Sequence, residues 1–240
     1  PIEEITFIRG TVYRTKDKDR PYEPIFLPSF KEVAASKKKF AESFKIQYEN
    51  TDSKSAGTLV EQYDTVYVVQ NPPMEPLSDR ELDDIYDLDY MMDYHPMYKD
   101  SGVPALNEVK FSITSTRGCF GGCSFCSLNF HQGRIIQKRS HESILKEVEK
   151  MKANKDFKGY IHDVGGPTAN FRVKACKKQE KHGACVSKEC LGPVRCENLR
   201  VDHRDYVELL RKIRKVEGIK KVFIRSGIRY DYVLYDNNDE

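Results

Sequence analysis

The chain has no tryptophan among its 240 residues. It has no apolar run approaching the roughly 20 residues of a membrane-spanning helix, and no basic-then-apolar segment of the signal-peptide kind opens it. These absences lead to the expectation of a soluble, cytoplasmic protein with no membrane partner. Charge of one sign is lacking as well. Lys+Arg 40 against Asp+Glu 37 leaves a formal +3, a balance that neither demands nor excludes nucleic acid. The 39% of hydrophobic residues still supports a globular interior. Cysteine is sparse, at seven. Without a secretory signal, seven cysteines point to metal or redox use and away from a disulfide framework.

Three of the seven fall in one short stretch, Cys119-Phe120-Gly121-Gly122-Cys123-Ser124-Phe125-Cys126, with the spacing C-x3-C-x2-C. Gly118, Gly121 and Gly122 let this loop curl at little steric cost, so the three thiolates can reach one metal centre. A four-iron cluster offers four iron corners, each needing a ligand. Three cysteines therefore leave one iron open for chemistry. Phe125 would lie at the rim of such a cluster. The competing reading is a zinc knuckle, although zinc sites usually complete four ligands with a second cysteine pair or histidines.

Around this loop the chain changes character. Residues 1–108 read as an α+β leader region. In it, Ile5-Thr6-Phe7-Ile8 is a short strand candidate, and Ser29 with Glu32 forms a capping-box pattern opening a helix through Val33, Phe40 and Phe44. Asp64 to Gln70 is strand-like, and Ser78 with Glu81 starts a short acidic helix. Tyr90 to Tyr98 reads as a packing surface. From Val109 the pattern becomes strand, loop, helix, repeated: strands over 109–115, 158–164 and 220–226, and helices over 140–153 and from Asp202 onward. Strands alternating with amphipathic helices indicate a parallel sheet. The predicted fold class is α/β, an incomplete parallel (β/α) barrel of about three units, preceded by the α+β leader. Functional residues are then expected at the carboxyl ends of the strands. The cysteine loop, Gly165-Gly166-Pro167 and Ser226-Gly227-Ile228-Arg229 all sit there. Half a barrel leaves an unpaired strand edge, so the 240 residues read as an excerpt of a longer polypeptide with further units downstream.

The other four cysteines, Cys176, Cys185, Cys190 and Cys196, lie in a Cys-rich insertion at 172–200. Their spacing, C-x8-C-x4-C-x5-C, fits no common zinc finger. Four cysteines are nonetheless a complete ligand set for zinc or for an iron–sulfur cluster, and a loop of about 25 residues calls for some internal tie. Unligated reduced thiols are the alternative. The neighbouring lysines would offset thiolate charge or attract a polyanion such as RNA.

The run Thr116 to Cys126, then Phe130 to Arg134, Gly159 to Asn170 and Ser226 to Asp231 together resemble the YgiQ-type proteins of the radical S-adenosylmethionine (SAM) superfamily. Phe44 to Tyr48 and His95 to Tyr98 extend the resemblance into the leader. It implies a 4Fe-4S cluster on Cys119, Cys123 and Cys126, whose open iron is chelated by SAM and whose electron cleaves the sulfonium to a 5'-deoxyadenosyl radical. It implies that Phe125 touches the adenine and that Gly165 and Gly166 meet the SAM amino group. The acid usual after that glycine pair is replaced by Pro167, and the pair is also an ordinary turn signal. An electron donor such as flavodoxin or ferredoxin is the implied partner. Arg225 or Arg229, flanking the third strand end, could pair with the SAM carboxylate through a guanidinium fork or serve as a surface cation. His131 could contact substrate or secure the loop. The resemblance names no substrate and no catalytic residue. An enzyme abstracting hydrogen from an unidentified substrate and a non-catalytic metal module gripping nucleic acid or a partner protein are the two functions that follow.

Overall fold

The computed structural model describes residues 4–237. The leader builds a four-stranded mixed sheet from β1 (Val12–Thr15), β2 (Pro24–Phe26), β3 (Thr58–Tyr63) and β4 (Val66–Gln70), in the order β1-β4-β3-β2. β3 and β4 form a hairpin, turned at Asp64, whose φ is 52°. The register Val60↔Val69 puts two fully buried valines opposite each other. Ser29 and Glu32 do form a reciprocal capping box. The helix they open, α1 (Phe30–Ala35), stops at Ser36, which is extended and caps a second helix, α2 (Lys37–Glu49). One expected helix is therefore two. The strand expected at Ile5–Ile8 is irregular backbone; the edge strand forms at Val12–Thr15 because that segment finds a partner in Tyr67–Gln70. Ser78 and Glu81 box the start of α3 (Asp79–Tyr86) as expected.

After a single turn, α4 (Leu106–Val109), come the elements that carry the cysteines: β5 (Ser112–Thr114), β6 (Thr116–Arg117), α5 (Leu128–Gln132), β7 (Gln137–Lys138), α6 (His141–Lys152), β8 (Tyr160–Ile161), β9 (Asp163–Gly165), α7 (Lys177–His182), α8 (Arg204–Arg214), β10 (Lys221–Val222) and α9 (Tyr230–Val233). β5 pairs parallel with β9, and β8 parallel with β10. The segment 160–165 is thus central, with 112–114 on one side and 221–222 on the other. Each strand is shorter than the apolar pattern suggests, and 158–164 is broken at His162, whose amide turns to Phe111 O. The fold is α/β with mixed sheets, and no closed barrel forms among the described residues.

One layer of helices covers this parallel set. Ile144, Val148 and Met151 of α6 and Tyr206, Leu209 and Ile213 of α8 are buried against Ile113, Ile161 and Val164. The 3.6-residue spacing of these side chains is what makes both segments helical here, because it puts every one of them on the sheet-facing stripe. Ser140 caps α6 through the Ser143 amide. Two buried arginines tie the strand ends to the helices. Arg172 donates to Asp205 at 2.6 Å, Ser115 O at 3.1 Å and Arg139 O at 2.9 Å. Arg139 donates to Thr114 O, Ser143 and Glu147, and stacks over the Tyr86 ring. Buried cations of this kind persist only when paired and hydrogen-bonded.

The leader packs directly on the second half. Phe44 and Tyr48 of α2 meet Phe130 of α5, Asp52 accepts from the Ala184 amide at 2.8 Å, and Asp83 of α3 accepts from the Ser140 amide at 3.0 Å.

Candidate metal centre

The first cysteine loop leaves the carboxyl end of β5 and returns through β7. β6 and β7 pair antiparallel, Thr116↔Lys138 and Arg117↔Gln137, and clip the base of the loop. The Cys119 amide reaches Gly133 O at 3.0 Å, and the Gly118 amide reaches Gln132 Oε1 at 3.2 Å. Gly118 has φ 83°, and its open side is filled by the Ile135 carbonyl, so only glycine fits there. Phe120 anchors the loop from below. It is fully buried and stacked on Phe171, with centroids 3.9 Å apart, and Tyr232 edges against both rings.

Above this anchor the thiols spread around Gly121. A carbon built on Gly121 would lie 3.2 Å from the Cys119 Sγ and 3.9 Å from the Cys123 Sγ. Cys119 Sγ lies 3.4 Å from Thr168 Oγ1, and the Cys126 amide closes a turn on Cys123 O at 3.0 Å. Arg229 donates Nη1 to Cys123 Sγ at 3.2 Å. Hydrogen bonding to Asp231 raises the Arg229 pKa, against a smaller opposing effect of burial, and the charges of Asp231, Cys123 and Cys119 add to the rise. A fixed cation therefore stands against Cys123. Phe125, 91% exposed, stands clear of the protein at the rim.

The remaining expected site residues separate into those near the loop and those away from it. Gly165 and Gly166 follow β9. A side-chain carbon on Gly165 would overlap Ser226 Oγ, and one on Gly166 would overlap Thr116 Oγ1. Close packing against the protein itself thus accounts for both glycines. Thr116 Oγ1 and Ser115 Oγ are buried without hydrogen-bond partners, two polar atoms where the cysteine loop departs. Of the two arginines, Arg229 joins the thiols, whereas Arg225 is turned to Glu108, which it meets at 2.9 Å. His131 is exposed on α5.

Asn170 holds Arg229 in place. Its Oδ1 accepts the Arg229 amide at 3.0 Å, and its Nδ2 donates to the Arg229 carbonyl at 3.3 Å. His203 stands 3.0 Å from that Nδ2 and 2.5 Å from Asp236. Nothing in local spacing signals His203 or Asp236, since both act across the fold.

Among the described residues, no three His, Cys, Asp or Glu side chains close on a single point at one-ion distance. A four-iron cluster asks for a different arrangement, because each cysteine takes its own iron. Three thiols fanned around a glycine-lined turn, with a guanidinium against one of them, fit that demand in donor type, number and charge.

The second set is also drawn into one region, although no three of its thiols close on a single point as the side chains stand. The Cys196 amide donates to Cys190 O at 2.9 Å, and Cys190 and Cys196 both pack against the cluster containing Phe120, Phe171, Leu191 and Leu199. Cys176 caps α7, accepting from the Gln179 amide. Burial pushes the Cys190 thiol up to about 11; Arg134 pulls it down, and the charges of Cys176, Cys196 and Cys185 push it further up.

The radical SAM N-terminal family matches residues 1–112, and the radical SAM superfamily matches residues 113–237. A UPF0313 protein of Clostridium botulinum (strain ATCC 19397 / Type A) is 60% identical over 240 residues, which is all of this chain and 37% of that protein. A UPF0313 protein of Clostridium perfringens (strain ATCC 13124) is 56% identical over 237 residues, 98% of this chain and 36% of that protein. The chain thus spans little more than a third of the length of the curated relatives it matches. No solved structure matches it. With more than half of its residues matched by the superfamily and its full length matched by these relatives, the chain belongs to the radical SAM superfamily, among the YgiQ-type proteins named UPF0313.

Proposed function

We propose that this chain carries the SAM-cleaving centre of a radical SAM enzyme, with Cys119, Cys123 and Cys126 holding a 4Fe-4S cluster. The observation that carries the reading is the cysteine loop itself: three thiols at the carboxyl end of a parallel strand, clipped at the base by β6 and β7 and faced by Arg229. When bound, the cluster supplies the electron that cleaves SAM to a 5'-deoxyadenosyl radical, which takes a hydrogen atom from a substrate of unidentified class.

The chain's own residues position and shield. Phe120 and its partner Phe171 fix the loop from below. Arg229, held by Asn170 and Asp231, offsets thiolate charge at Cys123. Phe125 offers the adenine an exposed aromatic face. The backbone at Gly165 and Gly166 receives the amino group of SAM. Arg225, taken by Glu108, is left out of the carboxylate contact. A small electron carrier such as a flavodoxin or ferredoxin supplies the electron. A second metal centre, zinc or iron–sulfur, on Cys176, Cys185, Cys190 and Cys196 belongs to the same reading, since four thiols are a full ligand set.

Anaerobic reconstitution with iron and sulfide, followed by electron paramagnetic resonance, tests the enzyme reading. The expected result is a reduced-cluster signal that shifts when SAM is added, and its loss when Cys119, Cys123 or Cys126 is replaced singly by alanine. A zinc-only protein without such a signal, or 5'-deoxyadenosine formation that survives all three replacements, would overturn it.

A further inference from the structure

The two cysteine sets meet on a common floor. Phe120, the residue after Cys119, is buried in one cluster with Ala175, Leu191 and Leu199, and Cys190 and Cys196 pack against the same cluster. Backbone bonds gather the insertion above that floor. Cys196 closes on Cys190 O at 2.9 Å, the Leu199 amide on Cys196 O at 3.0 Å, and the Arg200 amide on Ala175 O at 2.7 Å, which brings Cys176 beside that turn. Arg134, buried at the end of the first loop, reaches into the insertion. Its Nη1 donates to Cys185 O at 2.8 Å and its Nη2 to the Glu189 carboxylate at 2.9 Å, while Gln179 of α7 donates back to Arg134 O at 3.2 Å.

Glu189 is where the insertion touches the cluster loop. Its Oε1 accepts from Tyr48 of α2 at 2.8 Å, and its Oε2 takes the Arg134 guanidinium. A side-chain carbon on Gly122 would overlap that carboxylate, so the glycine before Cys123 lies directly against it. The insertion therefore bounds the first loop twice, at Phe120 and at Gly122.

Little regular structure holds the insertion in shape. α7 is its one α-helix among the described residues, and it is six residues long. A cysteine Sγ swings among three staggered positions without moving the backbone, and the backbone is what the bonds above fix. A metal that gathers such thiols releases their protons and adds its binding free energy to the fold.

We propose that a metal bound by Cys176, Cys185, Cys190 and Cys196 fixes the segment carrying Glu189, and that Glu189 is a positioning residue holding the Cys119–Cys126 loop in place through Gly122. This rests on the reading that the second set binds a metal. The first loop would then be ordered from its neighbour before its own cluster arrives.

The test uses the full chain with Cys119, Cys123 and Cys126 all replaced by alanine, so that only the second set can bind. Zinc alone, and iron with sulfide under anaerobic conditions, are supplied in separate arms, and metal content is measured. Amide hydrogen exchange is then followed over residues 118–126, with α8 as the internal control of folding. The expected result is close to one metal centre per chain in one arm, exchange over 118–126 at least ten-fold slower when loaded, and loss of that dependence in E189A with metal content unchanged. Where E189A disturbs α8, E189Q takes its place. Metal binding with equal exchange over 118–126 in loaded and stripped chains overturns the positioning role and leaves the second centre standing. Retained metal dependence in the Glu189 variant likewise overturns it. No metal in either arm overturns the second centre, and the positioning role with it.

Discussion

At the scale of single residues, exposure separates function from stability. Phe125 buries almost nothing, whereas Phe120, five positions earlier, is fully buried between Phe171 and Tyr232. Phe125→Ala is therefore expected to leave thermal unfolding unchanged, within about 0.5 kcal/mol. In the proposed reading Phe125→Ala removes roughly 1–3 kcal/mol of stacking on the adenine, so equilibrium SAM binding to the reconstituted chain should weaken about five-fold or more. SAM affinity equal to the parent would remove Phe125 from the site. The gathering of Cys119, Cys123, Cys126 and Phe125 in one loop was legible in the sequence because the loop is local and its spacing is itself the signal. Arg229 against Cys123, Asn170 behind Arg229, and Glu189 against Gly122 are contacts between distant segments, which no local pattern reports. The same holds for the opposite fates of Arg225 and Arg229. Arg225 lies beyond β10 and meets Glu108, whereas Arg229, at the start of α9, meets Cys123.

At the scale of elements, caps and helical stripes were readable and strand lengths were not. Ser29, Ser78 and Ser140 each cap a helix as their sequence context says, because a serine oxygen facing the N3 amide is a four-residue event. Ile144, Val148 and Met151, and Tyr206, Leu209 and Ile213, fell on buried faces as their period requires. Strands depend on partners instead. Ile5–Ile8 has no strand partner among the described residues, while Thr58–Tyr63, which carries no strong local signal, pairs on both sides. Arg172 and Arg139, buried between the strand ends and the helices, carry no sequence cue. Arg172→Met should be costly, because Asp205 and the carbonyls of Ser115 and Arg139 each lose a donor at once. Breaking a buried pair in this way costs about 3–5 kcal/mol, measured as a fall in the denaturant midpoint. A loss below about 1 kcal/mol would show that water replaces the guanidinium.

At the scale of the whole molecule, acid should loosen the packing of α8 in two stages. Burial holds His141 below its ordinary 6.5, outweighing the pull of Asp205. Its neutral form is favoured in the folded state, so the unfolded chain takes up the proton first and stability declines as pH drops below about 6.5. The second stage involves Asp205 and Asp202. Burial works to raise Asp205, but Arg172, Lys138 and His141 hold it below its ordinary value. The Arg204 hydrogen bond, against the opposing effect of burial, lowers Asp202 to about 2. Both carboxylates contribute stability that is complete above their unfolded value of 3.8 and is lost as pH falls through the folded one. Chemical denaturation from pH 7 to pH 2 should show a shallow loss and then, below about 3.8, a steeper one; a flat profile to pH 4 would rule out the His141 contribution. The parallel set adds a second expectation. β10 pairs with β8 on one side only among the described residues, and an unpaired strand edge promotes association. Sedimentation of residues 1–240 should therefore depend on concentration, and a concentration-independent monomer would mean that the edge is protected. No helix among the described residues is long and apolar enough to cross a membrane.

The clip formed by β6 and β7 has a further consequence, for what the loop between them tolerates. With Thr116↔Lys138 and Arg117↔Gln137 fixed, the path from 118 to 136 is a closed ring. Ring closure is insensitive to contour length: doubling it adds only about 0.6 kcal/mol of entropy. A glycine inserted beside Ser124, which is exposed, would scarcely perturb folding, yet it would displace Cys126 relative to Cys123. A longer ring is thus expected to be tolerated by the folded protein and to fail as the proposed chelator. Around Gly118, Phe120 and Gly122 packing restricts the loop; between Cys123 and Cys126, where Ser124 and Phe125 are exposed, the proposed ligand spacing is the constraint.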